Sequence, residues 1–329
     1  VATPDPKTKW THRVERRPSY AGTLNGDGND ISFSTMRPCR PLRFSGQFIT
    51  SEPILGQYVG FPTDNSKVAA FEASLGRPLD YTLAFTDANN IQSNIFALQS
   101  DTTRRMVISQ CLIAPGWDMA ATAAGSHDSD YDNASFFLSA YADRVVSIRI
   151  GWEMNFPNGY PWSIGGSGVN VTKANYIACF RRLVDFFRQR MPDVPIDWCP
   201  GFDQEAETWY PGDDYVDIIG SDIYLKQAFY SDNFNNVYSA ISGLRWLDKF
   251  SSSHGKMISV PEWSGDYNSG VLINGMAKWL RRPRANPVIY HSYWNSTDSF
   301  NGLLTNYPNA AAAYYANFGD PGNMYVGAP

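Results

Sequence analysis

Glu153 and Glu262 each close a short apolar run. The first run reads Val145-Val146-Ser147-Ile148-Arg149-Ile150-Gly151-Trp152-Glu153-Met154-Asn155, and the second Lys256-Met257-Ile258-Ser259-Val260-Pro261-Glu262-Trp263. An ionisable group set among strand residues and tryptophans gives up hydration, which is costly unless partners or a task compensate. Two such glutamates suggest a carboxylate pair. Cleavage of a glycosidic bond uses one: a carboxyl protonates the leaving oxygen while its partner attacks the anomeric carbon or activates water. Sugar rings also stack on aromatic faces, and Trp152, Trp162, Trp263 and Trp294 lie beside or near these positions, with Trp117 and Trp209 as further candidates. Asp203, Glu205, Glu207 and Asp266 are rival acids, of which Asp203 and Glu205 are placed to line a cleft or to serve a solvated loop. Arg149 is expected to point inward, either fixing a carboxylate or neutralising an interior acid.

The elements that must position this pair are short strands alternating with helical patterns from about Leu55 onward, the rhythm of βα units on a parallel sheet. Likely strands number eight: Leu55 to Gly60, Tyr81 to Phe85, Arg105 to Ile113, Val145 to Gly151, Pro195 to Pro200, Val216 to Ile223, Lys256 to Val260 and Pro287 to Trp294. Several are nearly continuous in Val and Ile, as strands covered on both faces should be. Tyr176, Ile177, Phe180, Leu183, Val184 and Phe187 recur at helical spacing. Val68, Phe71 and Leu75 predict a helix stopped by Gly76, and Val237, Ile241, Leu244 and Leu247 predict another. Eight such units close more naturally into a (β/α)8 TIM barrel than into a doubly wound open sheet. The fold class expected is therefore α/β, with residues 1–50 as an N-terminal extension packing on a catalytic barrel over 51–329. On that count Glu153 follows strand four and Glu262 follows strand seven, at the C-terminal rim where barrel enzymes place their chemistry.

Composition is permissive. Of 329 residues, 43% are hydrophobic and 18% charged, enough for a large core, and an aromatic share of 15% favours a stacking surface. The net charge of −5 with scattered basic residues argues against nucleic acid. No apolar run approaches the roughly 18 residues needed to span a bilayer, so no membrane partner is expected. Cys39, Cys111, Cys179 and Cys199 lack any Cys-x-x-Cys pair and read as buried free thiols, with one disulfide open to a secreted protein. His127 and His291 lack metal-ligand spacing and take surface and core roles by default. Asn25-Gly26-Asp27-Gly28-Asn29-Asp30 reads as a plain turn rather than a calcium loop. No metal and no cofactor are expected.

Three ordered motifs resemble glycoside hydrolase family 26. Arg149 to Asn155 followed by Tyr160-Pro161-Trp162 is similar to its acid/base segment. Trp209 to Gly220, running on to Asp222 and Tyr224, resembles its sixth-strand segment, and Val260-Pro261-Glu262-Trp263 falls where the family places its nucleophile. Gly56 to Gly60, with Tyr58, also fits. The resemblance implies an eight-stranded β/α barrel that hydrolyses β-linked polysaccharide with retention, Glu153 acting as acid/base and Glu262 as nucleophile. It further implies Asn155 near the sugar 2-hydroxyl and Tyr224 beside the nucleophile. Substrate-binding candidates are then Asn155, Trp152, Tyr224, Trp162, Trp209, Trp263, Trp294, Asp222 and Tyr58. Mannan-cleaving members commonly carry His before the acid/base Glu, where this chain has Trp152, so β-glucan, β-1,3-xylan and bacterial exopolysaccharide stand beside β-mannan. A secreted or periplasmic setting follows from a polymeric substrate, and a monomer is the default. The rival readings are a non-catalytic carbohydrate-binding barrel and a polysaccharide lyase using Tyr224, His291 and Arg149.

Overall fold

The computed structural model of the protein describes residues 53–58, 65–89 and 104–319. The chain divides into units Val1–Arg40 and Pro41–Pro329. The first unit, the packing of the expected 1–50 extension, the Asn25–Asp30 turn and Cys39 lie outside the described residues.

Nine strand segments build one sheet: β1 (Ile54–Tyr58), β2 (Tyr81–Thr86), β3 (Arg105–Gln110), β4 (Val145–Ile150), β5 (Ile196–Trp198), β6 (Ile218–Gly220), β7 (Ile223–Leu225), β8 (Met257–Gly265) and β9 (Val288–Trp294). Every pairing is parallel, β1 pairs with β9, and both β6 and β7 pair with β8. The segments β6 and β7 are therefore two halves of one stave, and the sheet closes as an eight-staved barrel. Helices cover its outside: α1 (Asn65–Leu75), α2 (Met119–Ala123), α3 (Asp128–Ser139), α4 (Lys173–Arg190), α5 (Asn235–Tyr238), α6 (Leu244–His254), α7 (Val271–Leu280) and α8 (Pro308–Phe318). The expected α/β barrel is the fold.

Local signals explain the helix ends. The Thr172 hydroxyl accepts from the Asn175 backbone N–H at 3.1 Å and caps α4, which buries Tyr176, Phe180, Leu183, Val184 and Phe187 as the periodicity predicts. Gly76, at φ 77°, ends α1. The helix expected from Val237 to Leu247 is instead two, α5 and α6. Ser242 takes φ 50°, and a Cβ on Gly243 would meet the Val237 carbonyl at 2.4 Å, so the chain turns there and Ile241 is left exposed. Cys111, Cys179 and Cys199 are free thiols.

The interior of the barrel is polar, unlike the Val, Ile and Leu layers common in this fold. Tyr81 and Ser292 share a hydrogen bond of 2.7 Å, while Asp197 accepts from Ser259 at 2.6 Å and from Tyr290. Strand β8 was expected to end at Val260 but continues through Glu262 to Gly265. Val260 pairs with His291 and Trp263 with Tyr293, three steps on β8 against two on β9, which marks a bulge at Pro261-Glu262. Proline, having no N–H to give the ladder, is tolerated there. The bulge changes the inward phase of the strand. Ser259 points in to Asp197, and after the extra residue Glu262 points in while Trp263 points out.

A Cβ on Gly56 would lie 2.2 to 2.6 Å from three ring atoms of the buried, hydrogen-bonded Tyr81. Gly56→Ala is expected to cost about 1–3 kcal/mol, read as a fall in melting temperature. An unchanged melting temperature would mean that this layer is loosely packed.

Candidate active site

Arg149 on β4 is wholly buried in the barrel and donates to three side chains. One amino group reaches Glu262 Oε1 at 2.5 Å and Ser109 Oγ at 3.2 Å, and the other bonds Asp222. Burial works against its charge, but Asp222 and Glu262 more than offset this, so the guanidinium is held charged more firmly than in water. Both expected roles of Arg149 are thus filled by one residue. The second oxygen of Glu262 accepts from the Tyr224 hydroxyl at 2.6 Å. Glu262, 5% exposed, therefore has each oxygen bonded to a donor that favours and orients a carboxylate.

Glu153 sits differently. It lies three residues past β4, half-buried, with φ 51°, and Gly151 before it takes φ 49°. A left-handed residue other than glycine costs about 1 kcal/mol or more, held here by a bond from the Glu153 N–H to the Cys199 carbonyl at 2.9 Å. Its carboxylate accepts from Asn158 Nδ2 at 2.9 Å. Burial first, and then the charge of Glu262, push the Glu153 carboxyl up to about 7, against the opposing pull of Arg149, Asn158 and Lys226. The two glutamates lie in one electrostatic field with unlike surroundings, the arrangement that separates a proton donor from a charged nucleophile.

Aromatic side chains wall this pair. Trp152 packs over Arg149 at 5.2 Å and edge-on to Phe85, while Tyr58 stacks on Trp294 at 3.9 Å. Tyr224 lies edge-on to Trp294 and to Phe300. The Tyr58 hydroxyl donates to Asp298. Tyr160 stacks on Trp162, and burial and then the charges of Glu153 and Glu262 raise its hydroxyl.

Five expected sugar contacts are engaged in other packing and bonding. Trp263 has no exposed surface and packs outward against Tyr314 and Phe318 of α8, because the bulge gives the inward position to Glu262. Trp162 is buried and donates to the Trp152 carbonyl at 2.7 Å. Trp209 packs against Tyr176 on α4, on the outer layer. Asn155 is buried and spends its amide on the Gly201 and Gln204 carbonyls and the Gly201 N–H, tying the loop after β4 to that after β5. Asp222 is also fully buried, serving Arg149 and Cys199 below the cleft rather than a sugar within it. Three of the four rival acids are engaged elsewhere: Asp203 accepts from Tyr230, Glu207 from Trp246, and Asp266 from the Gln227 N–H, while Glu205 is exposed. Trp117 stacks on His127, and His291 lies on the outer face of β9, accepting from Trp263. Sequence reasoning passed over Phe85, Asn158, Tyr160, Lys226 and Phe300. Only Asn158 and Tyr160, within seven residues of Glu153, carried a positional signal. Among the described residues no cluster of His, Cys, Asp and Glu is arranged to hold a metal ion.

Two outcomes are expected. Asn158→Ala removes a bond that favours the charged carboxylate of Glu153, so with Glu153 as proton donor the alkaline limb of the pH–rate profile is expected to move upward. A limb that moves down would refute the placement. Arg149→Met leaves Asp222 and Glu262 buried without a counter-charge and should lower stability by about 3–5 kcal/mol, measured by denaturant unfolding.

Residues 158–261 match the sequence model of glycosyl hydrolase family 26, a stretch that lies between the two glutamates. Endoglucanase H of Acetivibrio thermocellus is 24% identical over 282 residues, which cover 79% of this chain and 30% of that protein; the chain thus spans under a third of that curated relative. Among solved structures, the YdhT protein from Bacillus subtilis superposes with a TM-score of 0.58 at 15% identity, covering 82% of this chain and 86% of that one. The Bacillus subtilis mannanase BCman gives a TM-score of 0.55 at 13% identity, covering 84% and 89%. At such identities the solved structures speak for the barrel alone. The sequence match and the curated relative, beside the motifs of the two glutamate segments, support a glycosidase similar to glycosyl hydrolase family 26.

Proposed function

We propose that this protein is a retaining endo-β-glycanase acting on a β-linked polysaccharide, with Glu262 as nucleophile and Glu153 as acid/base. The observation that carries the reading is the unlike environment of two glutamates in one field: Glu262 bonded by Arg149 and Tyr224, Glu153 pushed up to about 7. In the first step a Glu262 oxygen attacks the anomeric carbon as the glycosidic bond breaks, and the leaving oxygen takes the Glu153 proton. Glu153, now a carboxylate, takes a proton from water as that water attacks the glycosyl-enzyme and releases Glu262. A pKa near 7 lets one group both give and receive a proton at neutral pH. Tyr224 orients the nucleophile, and Trp294 and Tyr58 offer the aromatic wall.

β-Glucan, β-mannan, β-1,3-xylan and bacterial exopolysaccharide are the substrates to screen. Since a polymer is met outside the cell, we place the protein in a secreted or periplasmic setting, as a monomer. The lyase reading has less support: His291 lies on the outer face of β9, while Arg149 and Tyr224 are both bonded to Glu262. A non-catalytic barrel would not need a carboxyl poised near neutrality.

Glu262→Ala is expected to abolish release of reducing ends on any glycan the parent cleaves. Proton resonance of the first product from a β-linkage should report the β-anomer. An initial α-anomer, or wild-type activity in Glu262→Ala, would remove the assignment.

A further inference from the structure

We infer that Lys226 is a specificity residue that recognises an acidic group, a carboxylate such as a uronate carries, on the sugar bound beside the two glutamates. The inference rests on the glycanase reading above and names the substrate class of that site. Lys226 directly follows Leu225, the last residue of β7, and so rises from the same stave as Tyr224 at the C-terminal rim. Its ammonium is held 5.7 Å from the Tyr224 ring centre and 5.6 Å from that of Phe300. Two aromatic faces favour the cation where it stands and fix its half-buried stem, so that it does not swing into solvent.

The carboxylates around it are already committed. Glu262 is bonded by Arg149 and Tyr224, Glu153 by Asn158, Asp222 by Arg149, and Asp298 by Tyr58. Among the described residues no acid forms an ion pair with Lys226. A positive charge held at the C-terminal rim, in the field of Glu153 and without a protein counter-ion, is suited to an anionic substituent on the ligand. The net charge of −5 gives no long-range attraction for a polyanion, so the recognition is local. A neutral glycan would leave this ammonium without a counter-ion, and the site thereby discriminates between the two.

The test uses matched pairs of oligosaccharides, β-1,4-glucan and β-1,4-mannan hexamers against the same hexamers with the 6-hydroxymethyl groups oxidised to carboxylates. Binding is measured by calorimetry on the full chain carrying Glu153→Gln, which suppresses turnover, with and without Lys226→Met. At least one carboxylated hexamer should bind about tenfold more tightly than its neutral partner. Lys226→Met should bring that ratio close to one, Lys226→Arg should restore it, and raised salt should shrink it. Circular dichroism of each variant verifies folding. Equal affinities within every pair, absence of binding to any carboxylated hexamer, or a ratio that survives Lys226→Met would overturn the inference. The catalytic reading is scored apart, on the chain with Glu153 intact, by the appearance of reducing ends.

Discussion

Arg149 is a guanidinium shut away from water at the centre of a closed sheet, with its amino groups directed at Asp222, Glu262 and Ser109. A charge in such a place persists only while opposite charges surround it, and carboxylates buried with it persist only while it is there. The polar barrel interior follows from this constraint. Serines and tyrosines fill positions where aliphatic layers would leave the acids unbonded, and Gly56 stays bare because the Tyr81 ring occupies the space of a side chain. The nucleophile candidate is thus held by the structural centre of the fold rather than by a mobile loop.

Glu153 is governed by a looser regime. It stands beyond the strand end, in a backbone conformation that its side chain disfavours, with Asn158 as its side-chain partner. Burial and then the charge of Glu262 raise it, while Arg149, Asn158 and Lys226 pull the other way. One acid is locked and the other poised, and the difference arises from where each lies relative to the end of its strand.

Much of this was legible in the residues. Short Val- and Ile-rich runs, spaced by helical periodicity, favoured a barrel over a doubly wound sheet, and two glutamates next to such runs required partners. The order of the motifs placed both at one rim. Which neighbouring side chains face the sugar was not legible, since it depends on inward phase. Trp263 adjoins Glu262 in sequence yet faces α8, and Asn155 lies close to Glu153 yet is consumed by the backbone of the next loop. Lys226 and Phe300 meet only after β7 and β9 come to lie on either side of β8, a contact between distant segments that no local pattern announces. The break between α5 and α6 was hidden because Ile241 keeps the helical spacing while the backbone at Ser242 leaves it.

The extra residue opposite β9 gives the chain a point of fragility. Iron that ladder flat with no residue lost and every following side chain of β8 trades places with its neighbour: an indole would be driven toward Arg149 and a carboxylate into the greasy seam under α8. Chemistry here hangs on a miscount between two adjacent ribbons, and relatives that keep their acid in this stave must keep the miscount or find another way to turn it inward.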